Sequence, residues 1–353
     1  MIKPQQFTTL AVAAAISAFA AIALYATTYR WSAGRLEGSP LVAGLERQEK
    51  AVAAVEVSQA GKRLTFVRQG DTWHVKEHDG YPANPERIRA LLTSLAGAQL
   101  VERKTSKKAL HAQLELEDPA AKTSKSRHVR VLDAKGGAIA DIVVGKSRFN
   151  AFGADKGGFY VRRAGEDQTW LATGEPKATV DFTDWVSATL FELADTKIAK
   201  LTLTHPGEAP LVIERDAGDA KDAKAAAASA AVAKFRLASI PDGKKLKKDA
   251  AIEQIAQGFG SINLEDARKL GAPPAGDKVS VIKLEADGGL VVTFRLRADG
   301  EDRWLSFAAT GSDGDAKKAA EAINAKANGW EFKILKWKAE QIGKHATDLL
   351  ETS

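Results

Sequence analysis

Apolar and polar positions alternate at a period of two along much of this chain. Leu64 and Phe66 alternate with Arg63 and Thr65, and Trp73 and Val75 alternate with Thr72, His74 and Lys76. That period is the signature of strands with one face buried. Gln69-Gly70-Asp71 lies between these two runs and predicts a hairpin turn. Asp79-Gly80-Tyr81-Pro82 ends the pair. The period then changes. Asn84 and Pro85 read as an N-cap and first helical residue, and Ile88, Leu91, Leu92 and Leu95 fall on one face of a helix that stops near Gly97. Strand patterns return at His128–Asp133 and Ala138–Val144, joined by Lys135-Gly136-Gly137, and at Phe159–Arg162 and Thr169–Leu171. Asp184-Trp185 opens a short helix.

The second half repeats this order. Leu201–Leu203 and Leu211–Glu214 predict strands, and Phe235–Leu237 stands where Trp73–Val75 stands in the first half. A helix over Leu246–Phe259 presents Ile252, Ile255 and Phe259, as the first presents Ile88, Leu91 and Leu95. The segment Val281–Leu290, with Asp287-Gly288-Gly289, parallels Val129–Ala138. A final helix is expected over Ala339–Leu350. The shared order of hairpin, helix and Gly-Gly hairpin predicts an internal duplication. Each copy would be an antiparallel sheet with a helix on one face, an α+β architecture.

The N-terminal pattern differs from both. Residues 7–29, FTTLAVAAAISAFAAIALYATTY, contain no charge. About 20 helical residues cross a bilayer core of about 30 Å, so one transmembrane helix is expected here. Tyr25, Tyr29 and Trp31 stand at its C-terminal end, where amphipathic rings favour the headgroup layer. A cleaved signal peptide is the competing reading, since Ala21 and Ala23 offer a small-residue site. Lys3 on one side and Arg30 and Arg35 on the other leave the orientation undecided by charge. The expected organisation is a short tail at 1–6, the membrane helix at 7–29 and a juxtamembrane stalk at 30–50. The first α+β repeat follows at 51–198 and the second at 199–353. An Ala/Lys/Asp-rich insertion at 216–233 reads as flexible.

Composition narrows the chemistry. The 353 residues include no cysteine, which excludes disulfides, thiolate catalysis and cysteine metal sites. The formal charge of +6 comes from 51 basic and 45 acidic residues, mostly interspersed as on a solvated surface. The basic runs Arg103–Lys108 and Lys244–Lys248 lack interleaved aromatics, so no nucleic-acid partner is expected.

Three motifs resemble sites. His74-Val75-Lys76-Glu77-His78 matches an inverted zinc-protease motif, H-x-x-E-H. That motif needs a helix, whereas a strand would hold the two histidines about 13 Å apart; the reading is two solvent-facing histidines. Gly145-Lys146-Ser147 resembles the end of a phosphate-binding loop, but Ala140 occupies the position of its first glycine. Gly153–Gly158 lacks dinucleotide-binding spacing and reads as a turn. His111, His128, His205 and His345 are scattered, and the carboxylate pairs Glu115/Glu117 and Asp181/Asp184 are ordinary for a charged surface. Trp73, Trp170, Trp185, Trp304, Trp330 and Trp337 are expected mostly in the core. The expectation is therefore no catalytic, cofactor-binding or metal-binding residue, no cofactor and no enzymatic activity.

The order of "RLTFVRQGDTWHV", "YPANPERIRALLTSLAGAQLVE", "VRVLDAKGGAIADIVVGK", "GFYVRRAGEDQTWLA" and "DWVSATLFEL" behind one membrane helix resembles the bacterial domain-of-unknown-function 4340 family. The likeness is good over residues 50–260 and looser beyond, and the alanine-lysine insertion departs from a compact family domain. The resemblance implies an accessory subunit of an ABC transporter of the gliding-motility auxiliary type. Such a subunit works by protein–protein contact beside a permease and an extracytoplasmic component. It also implies a single-pass protein of the bacterial inner membrane with its body in the periplasm. An anchored envelope-binding module for glycan or lipid is the alternative, which an exposed Trp or Tyr lining a groove would favour. A hydrolase using His74 or His78 is less favoured still.

Overall fold

The computed structural model describes residues 17–21, 38–216, 233–241, 243–247, 252–272 and 278–352. They form two compact units, one drawn from Met1–Trp73 and Pro85–Val180 and the other from His74–Asn84 and Asp181–Ser353.

The first unit is built on an antiparallel sheet. Its strands are β1 (Ser39–Pro40), β2 (Val52–Gln59), β3 (Lys62–Gln69), the start of β4 (Thr72–Val75), β6 (Gln99–Arg103), β7 (Arg127–Asp133), β8 (Ala138–Arg148), β9 (Gly158–Arg163) and β10 (Trp170–Thr173); His74 and Val75 of β4 and all of β5 (Tyr81–Ala83) belong to the second unit. The order across the sheet is β1-β6-β10-β9-β8-β7-β2-β3-β4. Val55, Val57, Val129, Val131, Ile142 and Val161 alternate along these strands and are buried. A short helix α1 (Leu45–Gln48) precedes β2, and helix α2 (Pro85–Gly97) buries Ile88, Leu91, Leu92 and Leu95, the face its spacing predicts.

The second unit repeats the plan. Its main strands are β11 (Thr189–Phe191), β12 (Ile198–Thr204), β13 (Leu211–Arg215), β14 (Phe235–Leu237), β16 (Ile262–Lys269), β17 (Val279–Ala286), β18 (Leu290–Asp299), β19 (Asp302–Gly311) and β20 (Trp330–Ile334). Their order is β11-β16-β20-β19-β18-β17-β12-β13-β14. Position by position this is the order of the first unit, so the two halves share one strand topology. The Gly-Gly turns are equivalent as well: Lys135–Gly137 joins β7 to β8, and Asp287–Gly289 joins β17 to β18. Gly136, Gly288 and Gly289 have φ of 81°, 78° and 85°, a left-handed backbone that glycine enters at least cost.

The units differ in their helices. Helix α3 (Ile252–Gln257) occupies the place of α2, residues 248–251 of the helix expected over Leu246–Phe259 lie outside the described residues, and Leu246 lies in strand β15 (Lys244–Leu246) rather than in that helix. Strand β15 pairs with β21 (Leu350–Thr352). Helix α4 (Gly314–Ala327) has no counterpart between β9 and β10 and was not announced by the hydrophobic pattern. Its buried residues are Ala316, Ala320 and Ala327, so its apolar stripe is too slight to stand out. It lies on β19 and β18, and the Asn324 amide exchanges two 2.8 Å hydrogen bonds with the Ala309 backbone. The final helix expected over Ala339–Leu350 is two shorter ones, α5 (Lys336–Ile342) and α6 (Ala346–Leu349).

Two expectations meet the structure differently. The division between units falls at Val180/Asp181 rather than after residue 198, because β11 pairs with β16. Residues 38–50, expected as stalk, are part of the first unit. Leu41, Val42 and Leu45 are buried, β1 pairs with β6, and the Leu41 N–H donates to the Ala98 carbonyl at 2.9 Å. The expected membrane span is described over five residues only. Residues 17–21 are helical and exposed, and the rest of the expected span 7–29 lies outside the described residues. Among the described residues no helix is long and apolar enough to cross a membrane. Residues 217–232 of the expected insertion also lie outside the described residues.

Candidate functional site

The H-x-x-E-H segment is neither a metal helix nor a plain strand. His74 is in β4, and Lys76–His78 form one turn of 3-10 helix. The His74 Nδ1 is 2.9 Å from the Gly80 carbonyl oxygen. His78, expected to face solvent, is largely covered. Its Nδ1 lies 2.5 Å from Asp266 Oδ1, and its ring stacks on Phe182 at 3.8 Å between centroids. Burial alone would raise the Asp266 carboxyl. The hydrogen bond and charge of His78, the Ala267 N–H and nearby Lys333 outweigh it and hold the group below its ordinary value. Tyr81 completes the cluster edge-on to Trp330 at 4.8 Å, and burial pushes its phenol up to about 12. These groups fasten residues 74–84 within the second unit.

The other motifs also resolve into framework. Gly145-Lys146-Ser147 lies inside β8, and the Lys146 ammonium donates to the Gln113 carbonyl at 2.6 Å. A Cβ on Gly145 would meet the Leu114 carbonyl oxygen, so this glycine serves close backbone packing. Gly153 lies in a turn. His128 bonds Asp141 at 2.6 Å across β7 and β8, and buried His111 bonds the Asp167 carbonyl at 2.9 Å. In the basic runs, Lys104 pairs with Glu102, Lys108 with Asp167 and Lys245 with Glu351, while Lys248 lies outside the described residues. Trp73, Trp185, Trp304 and Trp330 are buried and Trp170 is half-buried, but Trp337 is 57% exposed.

What the sequence did not bring together is a pair of histidines in the second unit. His205 follows β12 and His345 precedes α6, and their rings stack at 3.9 Å between centroids. They line a cleft of about 610 Å³ with Ser280, Glu208, Lys344 and Lys278. His205 is buried. Its Nε2 faces the Lys344 carbonyl at 3.0 Å and its Nδ1 faces Ser280 Oγ at 2.8 Å. In the neutral ring, Nε2–H donates to the carbonyl and Nδ1 accepts the serine proton. His345 Nδ1 bonds the exposed Glu208 at 2.7 Å, and that hydrogen bond holds the Glu208 carboxyl below its usual range.

This geometry has the parts of a serine–histidine–acid relay but not its order. A carboxylate that oriented His205 would have to face the ring nitrogen opposite Ser280. That nitrogen faces a backbone carbonyl, and the carboxylate serves the other histidine. The two rings meet face to face and their bonded nitrogens point to different partners, so the arrangement fixes both imidazoles at the wall of the cleft without linking them by a hydrogen bond. Among the described residues no group of three or more His, Asp or Glu side chains is placed to hold a metal ion. No sequence signal pairs His205 with His345, since each stands alone in a loop.

A family model described as a domain of unknown function, DUF4340, matches residues 73–280. The match starts in β4 and ends in β17, so it covers more than half of the chain and draws on both units. No curated protein and no solved structure matches the chain.

Proposed function

The chain belongs to the DUF4340 family, and on that premise we propose that it is a membrane-anchored extracytoplasmic accessory subunit of an ABC-transporter complex of the gliding-motility auxiliary type. It acts by protein–protein contact rather than catalysis. Residues 7–29 serve as the anchor, and the duplicated α+β body stands in the periplasm beside a permease and a second extracytoplasmic component.

The observation that carries this reading is the uncharged apolar run of residues 7–29 ahead of a body of this family. The run has the length of a bilayer span. Its small residues from Ala11 to Ala23 suit close packing on a neighbouring membrane helix. The histidine motifs support a non-catalytic body, because His74, His78, His111 and His128 are each bound into local framework.

Purification through a C-terminal tag after gentle solubilisation tests the proposal. A permease and an ATPase are expected to copurify. A chain that migrates alone removes the complex, and loss of residues 7–29 from the mature protein removes the anchor.

The alternative, an anchored module that binds envelope glycan, gains one specific observation: exposed Trp337 lines a groove.

A further inference from the structure

Helices α3 and α5 pack together in the second unit and leave a groove of about 330 Å³ between their exposed sides. Six residues line it: Gln254 and Ile255 from α3, Trp337, Glu340 and Gln341 from α5, and Lys344 just beyond. Trp337, Glu340 and Gln341 are three and four residues apart, so one helix face presents all of them. Gly258 allows the close approach, since a Cβ there would meet Ile342 at 2.6 Å. The indole is positioned as well as exposed. The Lys338 ammonium donates to the Gly258 carbonyl at 3.1 Å and sits 4.9 Å from the centroid of the Trp337 ring.

The polar groups around the ring are incompletely used. Gln341 Nε2 donates to the Gln254 carbonyl at 2.8 Å, which fixes the orientation of the amide. Its Oε1 is buried with no hydrogen-bond partner among the described residues. An acceptor without a donor is an energetic deficit, and a ligand hydroxyl or amide N–H relieves it once the Gln341 amide turns its covered oxygen toward the groove.

We propose that this groove is a saccharide-binding site, with Trp337 as the stacking platform. The inference rests on the envelope-binding reading and is independent of the transporter one. A pyranose ring offers an apolar face of C–H groups and a rim of hydroxyls. A single exposed indole ringed by two amides, a carboxylate and an ammonium is the complement of that pattern. The volume is at the lower end of ligand sites, roughly 300 to 1,000 Å³, and suits one or two sugar rings. Ile255, the apolar member of the lining, is itself buried, so it adds little to a protein-docking patch. Leu335, two residues before Trp337, is exposed, and a protein partner is therefore the outcome the test has to separate.

The test uses the full chain in a detergent whose headgroup carries no sugar. Tri-N-acetylchitotriose and maltotriose are titrated by calorimetry and by NMR. At least one is expected to bind saturably with a dissociation constant of about 1 mM or tighter. Trp337→Ala is expected to weaken it at least tenfold and Trp337→Phe by less. Gln341→Ala should also weaken it, and near-ultraviolet circular dichroism checks that each variant is folded. Absence of saturable binding of both sugars overturns the proposal, as does a Trp337→Ala chain that binds as the parent does. So does a Trp337→Ala chain that loses a cross-linked protein neighbour while neither sugar binds the parent. Failure here leaves copurification with a permease untouched, so the two readings fail separately.

Discussion

At the scale of single residues, charge placement decides the strongest contacts. Glu331 is buried in β20 and accepts from Arg297 Nε at 2.6 Å and Arg268 Nε at 3.0 Å. Arg268 is stacked 3.5 Å above Trp304, so the acid and both guanidinium groups are held rigidly. Removing one member of a buried pair strands the other charge. Glu331→Gln should therefore cost about 3 kcal/mol in chemical denaturation. His78 and Asp266 make a weaker and more exposed pair. Asp266 has a depressed folded value, so its contribution is present above the unfolded carboxylate value of about 3.9 and is lost as pH falls through the lower folded value. His78→Ala should raise the Asp266 value, followed by NMR titration. It should cost about 0.5–1 kcal/mol near pH 5, a difference that fades in stronger acid. Neither contact was legible in the sequence: His78 and Asp266 are far apart along the chain, and residue type alone gives no pairing.

At the scale of elements, local pattern was a good guide where the apolar face is large. Strands β3, β4, β7, β8, β12, β13 and β17 and helix α2 all follow from alternation or 3.6-residue spacing, because those periods are set by backbone geometry. Helix α4 did not follow, since its buried stripe is alanine and its identity depends on what it touches. It touches β19 very closely. A Cβ on Gly311 would meet the Ala316 carbonyl carbon at 2.2 Å, a backbone atom that cannot swing aside. Gly311→Ala should push α4 off the sheet at a cost of about 2–3 kcal/mol, read from thermal denaturation and from faster hydrogen exchange in α4. Residues 38–50 were missed for a related reason. Leu41, Val42 and Leu45 have too short a pattern to be told from a stalk until β6 supplies a partner.

At the scale of the whole molecule, the second unit takes residues 74–84 out of the first half of the sequence. Tyr81, edge-on to Trp330 and Phe332, is the apolar anchor of that segment. Tyr81→Ala should destabilise the second unit by about 3 kcal/mol. Hydrogen exchange should then rise in β16 and β20 while β7 and β8 keep their protection. Equal loosening of both sheets would contradict this assignment. The sequence alone determined the period of the elements with a broad apolar face, the hairpin turns with their glycines, and the duplicated order of elements. All of these are local properties, or repeats of local properties, and survive without knowledge of what packs where. Only the tertiary structure decided the ownership of residues 74–84, the stacking of His205 on His345 and the exposure of Trp337 beside an unsatisfied Gln341. Each of these depends on bringing distant segments within a few ångströms, and hydrophobic periodicity says which face is buried but not against what.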